Sequence, residues 1–231
     1  MEQKLSRREA SDAVESLGWR FLLGTLRTSV PVVSLAQGAV VVAGAVAACG
    51  EFADQHLSVD VRPERVVLTL QSREQAAVIG RDADLAHRIS DAVHQTGLQT
   101  EPETSAQAPR SVQMLEIGID ALDIAAVRPF WKALLGYTDE PGADGPEDAL
   151  VDPVGQGPAV WFQQMDQPRP QRNRIHFDVC VPHDEAARRI EAALAAGGRL
   201  LSADHAPAFW VLADAEGNEA CVTTWQGRDP E

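Results

Sequence analysis

His56 is the first side chain in this 231-residue chain with the chemistry of an acid–base catalyst near neutral pH. It lies in residues 51–73, where a long apolar segment ends and a strand pattern, residues 65–71, begins. A polar cluster where a helix meets a strand is a place where a small α+β domain can hold a ligand. We therefore treat this segment as one candidate site. The alternative is that His56 only caps a helix end.

Glu116 and His176 form a second candidate site because they stand at equivalent places in an internal repeat. Residues 116–138 and 176–199 each predict a strand, a turn with Asp, an amphipathic helix and then Gly, at an offset of about 60 residues. Two more strand-like runs follow each helix, which gives the order βαββ twice. Paired modules of this kind enclose a cleft, and we expect Glu116 and His176 to face each other across it.

The elements before residue 97 predict a separate α+β domain. Ser6 and Glu9 have the spacing of a capping box and start a helix that runs to about Leu17. Residues 19–33 predict two strands with a turn at Gly24. Residues 34–53 predict a helix lying on a sheet, and residues 81–93 a last helix. Residues 98–111 are polar, contain two prolines and predict a linker between domains 1–97 and 112–231.

The formal net charge of −14, most of it after residue 100, disfavours nucleic acid as a partner. No uninterrupted apolar run reaches the roughly 18 residues that span a bilayer, and the charged N-terminus lacks the apolar core of a secretory signal. We therefore expect a cytoplasmic protein without membrane contact. The three cysteines are odd in number and far apart, which favours reduced thiols.

Residues from about 5 to 97 resemble the pterin-4a-carbinolamine dehydratases over nearly the whole length of that small family. The resemblance rests on Leu5-Ser6 with Trp19, on the order of the elements and on the family's Glu-x-x-x-His-His-Pro motif. Here that motif reads Glu-Phe-Ala-Asp-Gln-His-Leu at residues 51–57, and Asp82 matches the aspartate that opens the last helix. Four family positions differ: a His, a Pro, an aromatic residue and another His are replaced by Gln55, Leu57, Pro63 and Arg73.

This resemblance implies a sheet with helices on one face and a site for dehydrating a 4a-hydroxypterin. That reaction needs an acid for the departing hydroxide and a base for a ring proton, which imidazoles supply at neutral pH. His56 is the retained imidazole, with Asp82 and Glu51 as the other catalytic candidates. Gln55 and Arg73 are candidates for binding the substrate. The alternative is a former dehydratase domain that now serves in binding or dimerisation.

Residues from about 112 to 226 resemble the glyoxalase/bleomycin-resistance (vicinal oxygen chelate) superfamily. Three segments carry the resemblance: residues 130–136 match the helix end FYxxxLG, residues 172–178 the first strand of the second module, and residues 214–221 the D-P-x-G-N hairpin before the last strand. The resemblance implies paired modules in a half-barrel around a cleft.

The superfamily's metal sites take one ligand from each of four strands, which places Glu116, Gln163, His176 and Cys221 at those positions. A divalent metal is the one cofactor that this resemblance suggests. The alternative is a polar cleft in which His176 is hydrogen-bonded to Glu116. Trp161 and other aromatic residues near the predicted cleft could line a pocket for a small planar ligand or pack in the core.

Three functions follow from these two candidate sites. The first is a dehydratase that acts through His56. The second is a lyase, isomerase or dioxygenase that uses Glu116 and His176. The third is a protein that binds a pterin or another planar small molecule without turnover. We also expect a homo-oligomer, because the relatives of the first domain pair the edge strands of their open sheet between subunits.

Overall fold

The computed structural model describes residues 3–102, 112, 114–143, 145–168, 176–181, 183–224 and 226–227. The chain divides into two compact units, residues 1–114 and 115–231. Each unit combines helices with sheets that contain antiparallel pairs, so the predicted α+β class is confirmed.

Over its described residues, the first unit has one antiparallel sheet in the order β1-β2-β4-β3, with four α-helices. Its helices are α1 (Arg7–Asp12), α2 (Leu35–Cys49), α3 (Ala53–His56) and α4 (Gly80–Gln95). Its strands are β1 (Arg20–Leu22), β2 (Thr25–Pro31), β3 (Leu57–Arg62) and β4 (Arg65–Leu70).

Local sequence signals fixed most of these elements. The predicted capping box at Ser6 and Glu9 is present, and Ser34 caps α2 by accepting a hydrogen bond from the Gln37 N–H. The first helix is shorter than predicted because α1 ends at Asp12 and a separate 3-10 turn, Glu15–Leu17, follows. Strand β3 was missed: only half of it alternates, and most of its residues are exposed, as expected at a sheet edge.

The core of the first unit lies between the sheet and helices α2 and α4. Helix α2 contributes Gly38, Val41, Ala45 and Cys49, spaced at about one helical turn, so only one of its faces is buried. The first part of the predicted linker is attached to this unit. The backbone of Glu101 pairs with Ser29 of β2, while residues 103–111 lie outside the described residues.

Residues Leu35–His56 are long and apolar enough, by length and composition, to cross a membrane. The sequence pattern did not predict this segment, because its most apolar stretch, residues 39–49, is too short to span a bilayer and contains Gly44. The helix α2 itself has 15 residues. It therefore rises about 22 Å, less than the roughly 30 Å hydrocarbon core of a bilayer.

The second unit contains two copies of one module, which confirms the predicted internal repeat. Each module has a strand, a helix and three further strands, so the predicted order βαββ lacked one short strand per module. The first module contains β5 (Glu116–Ala121), α5 (Ile124–Leu135), β6 (Thr138–Asp139), β7 (Leu150–Val151) and β8 (Ala159–Gln164). The second contains β9 (Phe177–Cys180), α6 (Ala186–Ala195), β10 (Arg199–Ser202), β11 (Phe209–Ala213) and β12 (Glu219–Thr223).

The two modules have the same strand order. In each, the first strand pairs parallel with the last, and the other two strands follow antiparallel, giving β5-β8-β7-β6 and β9-β12-β11-β10. One apolar cluster unites residues of both modules, including Phe130 of α5, Ala193 of α6 and Leu212 of β11. Because side chains alternate along a strand, one face of each sheet contributes to this cluster. The other face, here called the open face, carries exposed residues such as Trp161 of β8 and Asp178 of β9 beside the buried Cys221 of β12.

A buried carboxylate fixes the hairpin between β11 and β12. Asp214 is fully buried and accepts hydrogen bonds from the Trp131 indole N–H and from the backbone N–H groups of Glu216 and Asn218. The Glu216 side chain in turn accepts hydrogen bonds from the N–H groups of Leu122 and Asp123, where α5 begins. The residues of the predicted D-P-x-G-N hairpin thus connect the second module to the first.

Candidate functional site

His56 and Asp82 form a buried pair in the first unit. The His56 Nδ1 lies 2.8 Å from Asp82 Oδ1, and only 6% of the histidine side chain and none of the aspartate side chain is exposed. The other Asp82 oxygen, Oδ2, accepts a hydrogen bond from the Ile79 N–H at the start of α4. Burial raises the pKa of Asp82, and the hydrogen bonds from Ile79 and His56 oppose that shift. The pair thus links the end of α3 to the first turn of α4.

The remaining candidates of the first unit lie around this pair at the surface. Gln55 and Arg73 meet through the backbone, because the Arg73 N–H donates to the Gln55 carbonyl, and both side chains are exposed. The Arg73 guanidinium donates to the Leu57 carbonyl and to Ser58. Glu51 is exposed and makes no hydrogen bond or ion pair within the described part of the chain. The structure thus joins His56 to Asp82 and leaves Glu51 apart.

Three side chains with metal-ligand chemistry converge on the open face of the second module. They are His176, Asp178 and Cys221, whose donor atoms all lie within 4.8 Å of one another. His176 and Asp178 are more than half exposed, and the His176 Nε2 lies 3.4 Å from Asp178 Oδ1. Cys221 is 8% exposed. The cluster therefore has a buried sulfur and two ligands that reach solvent.

Strand pairing explains this convergence. Strands β9 and β12 are parallel neighbours, and Asp178 stands directly opposite Cys221. His176 precedes Asp178 by two residues, so the extended chain directs both side chains to the same face. Phe177 and Val179, at the intervening positions, pack against the apolar cluster on the other face. Parallel pairing between the first and last strands of the module thus brings together residues 43 and 45 positions apart.

Burial, together with the nearby carboxylates of Asp178 and Glu219, raises the pKa of the Cys221 thiol to about 11. Without a cation nearby, the thiol therefore keeps its proton at neutral pH. A bound divalent ion would favour the thiolate instead, because its positive charge attracts the thiolate and offsets the repulsion from the two carboxylates.

The donor set fits a zinc-like ion. Thiolate, imidazole and carboxylate are all zinc ligands, and catalytic zinc sites have three protein ligands with one position left open. A redox iron centre of the oxygenase type takes two histidines and a carboxylate instead. Asp178 was not among the predicted ligands, although its spacing from His176 in a strand pattern was a signal that could have identified it.

The other predicted residues of the second unit lie on the open face of the first module. Trp161 is 40% exposed, and its indole covers Gly118 on the adjacent strand, where a Cβ atom would lie 3.1 Å from the ring. Glu116 and Gln163 are exposed on the same two strands, β5 and β8. None of these three belongs to the group formed by His176, Asp178 and Cys221. Trp131, by contrast, is a core residue.

Comparison with protein families identifies the second unit. Residues 116–223 match the family described as a glyoxalase-like domain. No curated protein matches the chain. The family match does not extend to the first unit, so the dehydratase resemblance there stays a prediction.

Solved structures of related description were also found. A glyoxalase/bleomycin resistance protein/dioxygenase family enzyme from Burkholderia phytofirmans has 17% identity and a TM-score of 0.39, with 47% of this chain and 95% of that chain covered. A glyoxalase-related enzyme from Fulvimarina pelagi has 20% identity and a TM-score of 0.37, with coverage of 50% and 88%. A glyoxalase/dioxygenase from Nostoc punctiforme has 13% identity and a TM-score of 0.37, with coverage of 50% and 90%. On the family match, residues 116–223 are a glyoxalase-like domain.

Proposed function

We propose that the glyoxalase-like domain is a metal-dependent enzyme of the lyase or isomerase type that acts on a small oxygen-bearing substrate. The observation that carries this proposal is the convergence of His176, Asp178 and Cys221 within 4.8 Å. A zinc-like ion has no redox chemistry, which favours these reactions over a dioxygenase reaction. When bound, the ion would polarise a substrate oxygen and lower the pKa of a bound water.

In this proposal, different residues of the domain hold the ion and contact the substrate. Cys221 and Asp178 supply negative charge that holds a cation, and His176 supplies a neutral nitrogen ligand. The exposed sides of His176 and Asp178 leave room for a substrate to approach. In the proposed half-barrel, the open faces of the two sheets line one cleft. Glu116 and Gln163 would then offer an acceptor and an amide, and Trp161 a flat surface for the substrate.

The first test is metal content. We expect the full chain to bind about one zinc ion, and His176→Ala, Asp178→Asn and Cys221→Ser each to weaken binding at least tenfold. Cys180→Ser is a matched control, because Cys180 is exposed on β9, on the same face as Asp178, and is not part of the cluster. Equal metal affinity in all four variants and the wild type would refute the site.

The second test is turnover. The metal-loaded chain should convert at least one member of a panel of small molecules that carry two adjacent oxygen donors, and Cys221→Ser should abolish conversion. A panel member that binds and is recovered unchanged from the metal-loaded protein would instead identify a binding protein without turnover.

A second candidate function rests on the buried pair of His56 and Asp82. We propose that, if the first unit retains dehydratase activity, His56 acts as its acid–base group with Asp82 holding the imidazole in place. The chain should then accelerate dehydration of a 4a-hydroxytetrahydropterin, and His56→Ala should reduce the rate about 10²–10⁴-fold. His87→Ala is the control because His87 is exposed on α4. A wild-type rate equal to the uncatalysed rate would exclude this function.

A further inference from the structure

The open face of the first module carries a large exposed ring, the indole of Trp161. This side chain is 40% exposed, and within the described part of the chain nothing accepts a hydrogen bond from its N–H. The indole of Trp131, by contrast, is buried and donates to Asp214. That of Trp19 is also buried and donates to Ser90. Packing in a core therefore accounts for these two rings and leaves Trp161 without a role.

Gly118 determines where the Trp161 ring lies. The two residues stand directly opposite each other on the parallel strands β5 and β8. A Cβ atom at Gly118 would lie 3.1 Å from the indole Cε2 and Cζ2 atoms, closer than the roughly 3.5–4.0 Å of a favourable carbon contact. The backbone of β5 is an ordinary strand here, so space rather than conformation requires glycine. The glycine thus lets the ring reach across both strands.

Hydrogen-bond acceptors border this ring. Glu116 precedes Gly118 by two residues on β5, and Gln163 follows Trp161 by two residues on β8, so all four lie on the open face. Such diagonal neighbours on adjacent strands are about 7–8 Å apart, within reach of long side chains. The amide nitrogen of Gln163 donates to the Gln164 carbonyl, which leaves its amide oxygen as an acceptor. Over the described residues, no group donates to the exposed Glu116 carboxylate.

We propose that this part of the open face is a subsite for an amino-substituted heteroaromatic ring of the aminopyrimidine type, formed by Glu116, Gly118, Trp161 and Gln163. A flat ring stacks on the indole. Its N–H groups donate to the carboxylate and the amide oxygen at the border. The carboxylate, in a chain of net charge −14, also disfavours a ring that carries an acid group.

This inference deepens the proposed function, because it names the ring to which the oxygen-bearing part of the substrate is attached. It rests on that function only for the statement that the bound ring is turned over. Stacking and hydrogen bonding to the ring need no metal ion, so the subsite can be tested by itself.

The test is the affinity of the zinc-free, full-length chain for 2,4-diaminoquinazoline, measured by nuclear magnetic resonance titration of the ¹⁵N-labelled protein. The indole N–H signal of Trp161, identified by its loss in Trp161→Phe, should shift when this probe is added. The matched probe 2,4-dimethoxyquinazoline has the same ring without N–H donors. It should bind at least tenfold more weakly, because it cannot donate to the charged acceptor.

Four variants locate the bound ring. Trp161→Ala removes the stacking surface and should weaken binding of the diamino probe at least tenfold. Gly118→Ala should weaken it at least fivefold, because the new Cβ displaces the indole. Glu116→Ala should weaken binding of the diamino probe and leave that of the dimethoxy probe unchanged. His205→Ala is the matched control: its exposed ring stacks on Phe209 in the other module, and its loss should change neither affinity.

Three results would overturn the proposal: no binding of the diamino probe at millimolar concentration, equal affinity for the two probes, or binding that survives both Trp161→Ala and Gly118→Ala. Circular dichroism and thermal melting establish that each variant is folded. Zinc affinity separates this proposal from the metal site, because Trp161→Ala and Gly118→Ala should bind zinc as the wild type does. A chain that binds the diamino probe but no zinc would refute the metal-dependent function alone.

Discussion

The two units each bring a histidine close to an aspartate, but they do so in opposite surroundings. In the first unit, His56 and Asp82 are 6% and 0% exposed, and a backbone N–H also binds the carboxylate. In the second, His176 and Asp178 are 57% and 60% exposed and stand beside a buried thiol. The same residue types therefore stand in two settings: the first pair is packed inside its unit, and the second faces solvent.

Burial explains this difference. A buried carboxylate must be hydrogen-bonded, because leaving it without partners costs several kcal/mol. Asp82 meets that requirement within the protein and has little capacity left for a ligand. Asp178 has its solvent-facing side free to bind a cation. The predictions below test this contrast, from the largest expected effect to the smallest.

Removing the aspartate from each pair should give the largest contrast. Asp82→Ala leaves the Ile79 N–H and the His56 ring without their acceptor, and should lower the free energy of unfolding of the first unit by about 3–5 kcal/mol. Asp178→Ala should change the stability of the metal-free second unit by no more than about 0.5 kcal/mol. Differential scanning calorimetry of the two variants measures both values. Equal effects would contradict the contrast.

Asp214 tests whether the burial of a carboxylate, rather than the unit in which it lies, determines how strongly its removal destabilises the protein. It is a fully buried carboxylate in the same unit as Asp178 and accepts hydrogen bonds from Trp131, Glu216 and Asn218. Asp214→Ala should therefore lower the free energy of unfolding of the second unit on the order of 3 kcal/mol. Trp131→Phe, which removes only one donor, should cost less. Denaturant unfolding monitored by circular dichroism checks both variants.

Zinc should stabilise only the unit with the open cluster. At about 100 times its dissociation constant, a ligand that binds the folded state alone adds about 2.7 kcal/mol. We expect this gain in the second unit of the wild type and of His56→Ala, and its loss in Cys221→Ser. Thermal melting with and without zinc measures the shift. A zinc-dependent shift that persists in Cys221→Ser would contradict the assignment of the ligands.

Replacing an exposed carboxylate that is paired with basic side chains should change the free energy of unfolding least. Hydrogen bonds from Lys132 and Arg128 lower the pKa of Asp139, which is 41% exposed. A carboxylate whose folded pKa is lowered stabilises the protein above its unfolded pKa of about 3.9, and that contribution is lost as the pH falls through the folded pKa. Asp139→Asn should cost at most about 1 kcal/mol at pH 7, since solvent screens the pair. The difference from wild type should shrink in thermal melts as the pH falls and the carboxylate becomes protonated.

Much of the fold could be predicted from local patterns. The Ser6–Glu9 capping box and the strand at residues 65–70 follow from signals within a few residues of each other, and the repeated modules follow from the same local pattern occurring twice. The missed elements, β3, β6 and β10, are short or exposed strands whose residues carry little apolar alternation. Their formation depends on pairing with a neighbour, which no local pattern records.

For the candidate sites too, one part could be predicted from the sequence and another could not. The sequence by itself determined which side chains could do chemistry: His56, Asp82, His176 and Cys221 were all recognised from residue type and resemblance. Only the tertiary structure decided which of them meet. Asp82 reaches His56 because α4 starts against the end of α3, and Asp178 joins Cys221 because β9 and β12 pair in parallel. Such contacts between distant residues arise from packing and strand register, which are properties of the whole fold.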